Sequence, residues 1–533
     1  MEHNLADLFE SIADAVPERV ALVSGDRAQT FAELDERANR LANALATRGV
    51  GAGSHVGLYL YNGAEFVEAM LACFKLRAVG ININYRYVED ELAYLFRNAD
   101  LSCVIQQREL GARTAAVRAR VPTLKTVIAV EDGSDLPLDG AERYEEVVSS
   151  GAPERSFGPR SGDDVYMIYT GGTTGMPRGV MWRHEDVFFA GLQGGNPGGE
   201  PIRDAAEVAP AARAREDAMV ILPAAPFIHG AAQWAAWIAI FTGGKVVVAP
   251  GKSFDAHAVL KLVAREKVLV LNLVGDAMAR PFAAALREDA GKHDVSSLMV
   301  VSSAGAILSE TVKTELSELL SGAMILNSFG ATETGHQGTI YPGMDGGGRP
   351  SFFMDDSNTV LDDEGRPMTP GSGAMGRLAR RGRLPIGYYK DAEKTAATFL
   401  TIDGERWVVP GDLATLEADG RITVFGRGAM CINSGGEKVF PEEVEEALKA
   451  HPDVVDAVVV GLPDERWGQR VTAVVETRKG KDLTLAALDA HCRTKVAGYK
   501  VPRELHLVPM IERHPSGKPD YRWARELAIG RPS

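Results

Sequence analysis

The sequence predicts an α/β protein: a large N-terminal domain of parallel α/β sheets with a small β-barrel-like part, then a small mobile α+β C-terminal domain. Three observations carry this. Short β-branched and apolar runs alternate with helical patterns along most of the chain, and that order implies parallel sheets joined by helices. The 533 residues exceed one ordinary core, so roughly two to four structural units are expected. Beyond Gly376 the texture changes to short strands and turns, and Gly426-Arg427-Gly428 is the best boundary. The expected division is therefore residues 1–427 and 428–533.

Taken in order, Thr30-Phe31-Ala32-Glu33 reads as a capping box, after which Leu34, Ala38, Leu41 and Leu45 share one helical face until Gly49 stops the helix. Residues 55–60 read as a strand and 64–76 as a helix. Residues 79–84 and 102–106 are strands around a helix at 89–97. The rhythm continues in strands at 218–222, 245–249, 268–273 and 298–302. Two segments interrupt it. Residues 191–216 hold Gly-Gly-Asn-Pro-Gly-Gly before alanines and mixed charges and read as a mobile surface insertion; residues 341–350 are glycine-rich. The C-terminal unit reads as helix 441–450, strands 454–460 and 471–477, helix 485–495 and strand 504–507.

Composition narrows the function. A formal net charge of −14, from 72 acidic against 58 basic residues, argues against a nucleic-acid-binding surface. Cys73, Cys103, Cys431 and Cys492 lack Cys-x-x-Cys spacing, so neither a disulfide framework nor a zinc site is expected, and a reducing cytoplasm fits. The N-terminus has no basic stretch leading into an apolar one, so no secretory signal is expected. The most apolar segment, 231–241, is half the length of the roughly 20 residues that span a bilayer and contains Gln233. It reads as a buried helix, and no integral membrane segment is expected.

The chemistry centres on Tyr169-Thr170-Gly171-Gly172-Thr173-Thr174-Gly175-Met176-Pro177-Arg178-Gly179-Val180, directly after an apolar run. Glycines let backbone N–H groups approach an anion, threonine hydroxyls add donors, and Arg178 adds charge, so a polyphosphate is the natural guest. The common Gly-x-x-x-x-Gly-Lys-Ser/Thr loop is absent; Gly251-Lys252-Ser253 has Val246 where the first glycine belongs. Further along, Ser302-Ser303-Ala304-Gly305-Ala306 offers small residues against which a purine can lie flat. Asn327-Ser328-Phe329-Gly330-Ala331-Thr332-Glu333-Thr334-Gly335 supplies an aromatic ring to stack on a base and a carboxylate to hold magnesium. Gly411-Asp412 suits ribose hydroxyls, and Gly426-Arg427, Ser434-Gly435-Gly436-Glu437-Lys438 and Pro515-Ser516-Gly517-Lys518 follow.

This order closely resembles the adenylate-forming superfamily of acyl-CoA synthetases, firefly luciferase and nonribosomal adenylation domains, over nearly the whole chain. The resemblance implies a two-step reaction: a carboxylate attacks the α-phosphate of ATP to give an acyl-adenylate and pyrophosphate, and a thiol then displaces AMP. It implies that residues 170–179, with Thr170, Gly171, Gly172, Thr173, Thr174, Gly175 and Arg178, wrap the β- and γ-phosphates. Thr332 would touch the α-phosphate and Glu333 bind Mg²⁺. Phe329 with Ala304, Gly305 and Ala306 would frame the adenine, alongside Ser328, Gly330 and Ala331; Asp412 and Arg427 would hold the ribose. Lys518 would be the adenylation lysine, and the small domain would turn between steps so that Gly435 and Gly436 line a pantetheine tunnel. Three departures stand out: Arg178 and Gly171 replace the usual lysine and serine, Met430 occupies the hinge position of the usual aspartate or lysine, and Pro519-Asp520-Tyr521-Arg522 follows Lys518. Residues 179–186 and 516–523 look most like a bacterial subgroup of long-chain and steroid side-chain acyl-CoA ligases.

His229, followed by Gly230, sits where the family often places the acyl-pocket mouth, although a hydrogen-bonded core histidine fits nearly as well. Trp234, Trp237 and Ile238 recur at helical spacing and read as core. Lys500 suits CoA phosphates, with a solvated surface lysine as the default; Glu437 and Lys438 double as a helix-start charge pair. His293 and His451 read as structural. The expected enzyme is thus an acyl-CoA ligase using ATP, Mg²⁺ and coenzyme A on a hydrophobic carboxylic acid. A ligase loading a carrier protein and a non-catalytic ATP-binding relative are the alternatives. Neither the acid nor the oligomeric state, a homodimer included, is specified.

Overall fold

The computed structural model describes residues 2–170, 176–306, 308–340, 351–427, 430–434, 437–464, 467–481, 483–496, 498–513 and 518–530. The expected capping box forms: Glu33 N–H donates to Thr30 Oγ1 at 3.2 Å and Thr30 N–H to Glu33 Oε2 at 2.8 Å, opening the helix Phe31–Thr47. Its apolar stripe, Leu34, Ala38, Leu41 and Leu45, is fully buried. That stripe joins the largest apolar core together with the helices Leu5–Ala15, Ala64–Lys75 and Gly230–Phe241.

Two sheets are built by the expected strand–helix alternation. One is five-stranded and parallel, in the order Val79–Asn82, His55–Tyr59, Leu101–Gln107, Thr126–Val130, Glu142–Arg143. The largest has a parallel half made from Val20–Ser24, Lys245–Val248, Val220–Pro223, Val270–Leu273, Val300–Ala304 and Met324–Ala331. Its near-continuous valine, isoleucine and leucine runs suit strands covered on both faces. Beyond Met324–Ala331 the same sheet turns antiparallel through Gly335–Ile340, Ser351–Met354, Ile422–Arg427, Asp412–Leu416 and Met375–Arg381. The expected barrel-like part is therefore an edge-to-edge extension, and no closed barrel occurs among the described residues.

The C-terminal residues form their own sheet from Ile432–Ser434, Glu437–Val439, Val454–Asp464, Gly468–Thr477 and Glu504–Val508. The helices Pro441–Lys449, Leu485–Cys492 and Tyr521–Ala528 accompany it. Glu437 and Lys438 lie in a strand, so the helix-start reading of that pair fails; the helix begins at Pro441, with proline's fixed φ at its first position.

Residues 191–216 correct a second expectation. Leu192, Ala205, Val208 and Ala212 are buried, the helix Val208–Ala214 packs on Leu5–Ala15, and Arg19 Nη1 donates to Ala212 O at 2.8 Å. Ala205, Ala209 and Ala212 are thus a packing surface, while Gly198 and Gly199 are exposed. Residues 341–350 lie outside the described residues. The helix Gly230–Phe241 is buried as expected, and among the described residues no helix is long and apolar enough to cross a membrane.

Candidate active site

The phosphate-loop sequence connects two antiparallel strands, Val165–Thr170 and Arg178–Arg183, whose last registered pair sets Thr170 opposite Arg178. Gly171, Gly172, Thr173, Thr174 and Gly175 lie outside the described residues. What fixes the hairpin is Asn82, at the C-terminal end of a parallel strand. It accepts from Tyr169 N–H at 2.8 Å and donates to Tyr169 O at 2.8 Å and Ile228 O at 2.6 Å. One buried amide thus ties the phosphate hairpin to the segment that leads into His229 and Gly230. Asn82 is not among the residues expected from the sequence, although a polar residue at the carboxyl end of a strand in a parallel sheet marks where such folds bind ligands.

Thr332 and Glu333 sit in a turn following Met324–Ala331. Thr334 closes it, its N–H donating to Ala331 O at 3.1 Å and its hydroxyl accepting from Ala331 N–H at 2.9 Å. Gly335 must be glycine: its φ is +74° and an added β-carbon would lie 2.6 Å from Ala190 O. Trp182 Nε1–H donates to Thr332 O at 2.9 Å, and the Tyr388 hydroxyl donates to Glu333 Oε1 at 2.9 Å in a buried setting. A β-carbon added at Gly230 would lie 3.7 Å from the Thr332 hydroxyl and 3.9 Å from the Trp234 ring. The structure therefore joins Gly230, Thr332 and Glu333 beside the hairpin of Val165–Thr170 and Arg178–Arg183. His229 is half-buried at the N-cap of Gly230–Phe241; Trp237 is core, and Trp234 is partly covered, edge-on to Trp182.

The adenine candidates meet across two parallel strands, where Ala304 registers with Ser328. Gly305 follows at φ +81°, and Ala306 is partly buried against the core. Phe329 is half-buried with its ring 5.1 Å from that of Phe352, while Gly330 and Ala331 pair with His336 and Gly335. Asp412 and Arg427 are register partners on antiparallel strands; the Arg427 side chain lies outside the described residues. Gly435 and Gly436 lie outside them too. Lys518 is exposed beside the bridge that pairs Arg513 with Pro519.

Two cations are engaged by carboxylates. Arg178 Nε donates to Asp391 Oδ2 at 2.8 Å; the Lys394 backbone N–H, and after it the Arg178 guanidinium, hold the Asp391 carboxyl below the ordinary carboxylate range. Lys500 is not the solvated lysine of the default reading. It is buried, with its ammonium 2.6 and 2.7 Å from the two Glu443 oxygens. His451 is structural as expected, its Nδ1 accepting from Asp453 N–H at 3.1 Å and its ring edge-on to His491.

Comparisons with known proteins cover both parts of the chain. The AMP-binding enzyme family matches residues 9–389, and the AMP-binding enzyme C-terminal domain matches residues 443–518. The chain is 49% identical to a medium/long-chain-fatty-acid–CoA/3-oxocholest-4-en-26-oate–CoA ligase of Mycolicibacterium smegmatis, covering 100% of this chain and 98% of that one. It is also 49% identical to a 3-oxocholest-4-en-26-oate–CoA ligase of Rhodococcus rhodochrous, over 100% and 97%. Among solved structures it resembles an anthranilate CoA ligase in complex with anthranoyl-AMP, with a TM-score of 0.84 at 25% identity over 98% and 97% of the two chains. ATP-bound MatB from Rhodopseudomonas palustris gives a TM-score of 0.81 at 25% identity over 99% of each. Family matches on both parts of the chain, residues 9–389 and 443–518, lead to one conclusion: this protein belongs to the AMP-binding enzyme family.

Proposed function

We propose that this chain is an ATP-dependent acyl-CoA ligase for a bulky hydrophobic carboxylic acid, either a medium- to long-chain fatty acid or a steroid side-chain acid, as for the relatives at 49% identity. The observation that carries this reading is the approach of Gly230 to Thr332. It sets the start of an apolar helix bearing Trp234 and Trp237 beside the hydroxyl assigned to the α-phosphate.

In the first half-reaction a carboxylate oxygen attacks the α-phosphorus, the bond to the bridging oxygen of the β-phosphate breaks, and pyrophosphate leaves with that electron pair. Thr170, residues 171–175 and Arg178 hold the β- and γ-phosphates, and Thr332 donates to the α-phosphate. Lys518 neutralises charge that develops between carboxylate and phosphate. Ala304, Gly305, Ala306 and Phe329 frame the adenine, while Asp412 and Arg427 hold the ribose.

Glu333 suits magnesium, a hard cation that favours one or two carboxylates plus substrate phosphates over an all-protein cage. When bound, magnesium would offset triphosphate charge. In the second half-reaction the CoA sulfur attacks the acyl carbonyl carbon, the bond to the AMP oxygen breaks, and the thiol proton passes to solvent. Gly435 and Gly436 line the pantetheine path, after residues 428–533 have turned relative to 1–427 in the cytoplasmic enzyme.

The test is a panel of acids scored for pyrophosphate release and CoA-ester formation, with and without CoA. Long-chain and steroid side-chain acids should release pyrophosphate with ATP and give esters once CoA is added, ahead of short-chain acids. Adenylate without ester would point to a carrier protein as acceptor. No pyrophosphate from any acid would sink the ligase reading.

A further inference from the structure

The segment 387–391 touches both halves of the nucleotide site. Gly387 and Tyr388 form a short strand registered against Met181 and Val180, on the strand that begins at Arg178. The pairing is continued on both sides, with Ile386 N–H donating to Met181 O at 2.7 Å and Tyr389 N–H to Gly179 O at 2.8 Å. From this strand the buried Tyr388 ring, edge-on to Phe399, carries its hydroxyl to Glu333 Oε1 at 2.9 Å. Three residues later Asp391 Oδ2 accepts from Arg178 Nε at 2.8 Å.

The segment is itself braced. Thr395 Oγ1 accepts from Tyr388 N–H at 2.9 Å and donates to Asp391 O at 2.7 Å, linking the two functional positions through one hydroxyl. Gly387 has φ +151°, and an added β-carbon would lie 2.5 Å from Thr395 Cγ2, so only glycine lets the brace close. Outside it, the Tyr389 hydroxyl donates to Asp100 Oδ2 at 2.8 Å and Lys390 Nζ pairs with the same oxygen at 2.5 Å. The strap is thus fixed to the scaffold on one side and to the nucleotide-facing groups on the other.

We propose that residues 387–391 are a positioning strap, in which Tyr388 orients the Glu333 carboxylate for a divalent cation and Asp391 restrains the Arg178 guanidinium for the nucleotide phosphates. The inference rests on the assignment of Glu333 to magnesium made above. A carboxylate is planar, so fixing one oxygen fixes the direction of the other. Hydrogen-bond partners of ligand carboxylates are a known lever on metal affinity, worth about 10–100-fold. A guanidinium held by a carboxylate loses less side-chain freedom when an anion arrives.

The experiment uses the full chain and measures binding as well as turnover. For Tyr388→Phe, calorimetric titration with ATP in excess Mg²⁺ and again in chelator should show the affinity gain from Mg²⁺ shrinking about 10-fold, while affinity without metal stays at the wild-type value. Pyrophosphate release should fall at low Mg²⁺ and recover as Mg²⁺ is raised. Glu333→Gln, run in parallel, tests the underlying assignment. If Glu333→Gln leaves the Mg²⁺ dependence unchanged, the metal reading fails; if it shifts the dependence and Tyr388→Phe does not, the strap is overturned. Should Tyr388→Phe fail to fold, Asp391→Asn at a partly exposed position decides. It should weaken ATP binding in chelator several-fold, and unchanged binding would overturn the proposal.

Discussion

Glu445 illustrates how much one buried side chain sets the pH behaviour of this protein. The residue is 1% exposed, and its carboxyl accepts from Val459 N–H at 2.9 Å. Burial pushes it up to about 6, with Lys449, the Val459 N–H and Arg513 opposing that push and Asp456 reinforcing it; the Tyr521 hydroxyl also faces it. Because the folded value lies above the ordinary 4.5, the associated stability is fully present below about pH 4.5 and is lost as pH rises through about 6. The loss is on the order of 2 kcal/mol, from about 1.4 kcal/mol per pH unit. Glu445→Gln keeps an acceptor for Val459 and removes the ionisation, so melting temperature plotted from pH 4 to 8 should flatten relative to wild type. An unchanged profile would assign the slope to another group. None of this was legible in the sequence, where Glu445 is one of several glutamates in Pro-Glu-Glu-Val-Glu-Glu and only packing distinguishes it from its neighbours. The same holds for Lys500, whose partner Glu443 is 57 residues away.

At the scale of elements, local pattern and topology divide the work. The helix Phe31–Thr47 was readable from its cap and stripe because both are written in adjacent residues. The apolar run before the glycine- and threonine-rich stretch does end in a strand, Val165–Thr170, while residues 171–175 lie outside the described residues. What could not be read was the set of cross-links between elements, since Asn82, Ile228 and Tyr169 meet only after the parallel sheet has formed. The segment 191–216 was misread for a related reason: alanines and glycines signal a loop locally, yet small residues also let helices pack closely. Asn82 supplies the prediction at this scale. Asn82→Ala leaves the buried N–H and C=O of Tyr169 and the C=O of Ile228 without that partner, a cost of about 2–4 kcal/mol from unmet backbone groups. Melting temperature should fall, and KM for ATP and for the acid should rise together because one side chain serves both walls. A rise confined to ATP would show that the His229 segment is held by other contacts.

For the whole molecule, the question is how the C-terminal part is held against the rest, given the proposal that it turns between half-reactions. The described contacts include the Phe425 and Phe440 rings, 5.2 Å apart, and several from the helix Pro441–Lys449. Glu446 Oε1 accepts from Glu310 N–H at 3.0 Å, at the start of Glu310–Leu319, and Lys449 Nζ stands 3.9 Å from Asp276 Oδ2 with both side chains almost completely buried. Asp276 keeps other partners, accepting from Arg280 Nη2 at 3.2 Å and from Ser309 N–H at 2.8 Å. Breaking a buried ion pair costs about 3–5 kcal/mol when the remaining charge is stranded; here Asp276 is not stranded, so Lys449→Met should cost about 1–3 kcal/mol. Lys449 also faces Glu445, Glu446 and Asp456 within the C-terminal part, so only the share due to Asp276 belongs to the arrangement of the two parts; a share of about 1.4 kcal/mol changes its population about tenfold. The variant should therefore unbalance the half-reactions, slowing either pyrophosphate release or thioester formation from supplied acyl-adenylate by about tenfold while the other changes little. Measuring both on the same folded preparation decides the matter: equal losses would make the Lys449–Asp276 pair a general stabiliser, and an unequal loss would identify which half-reaction uses the arrangement described here.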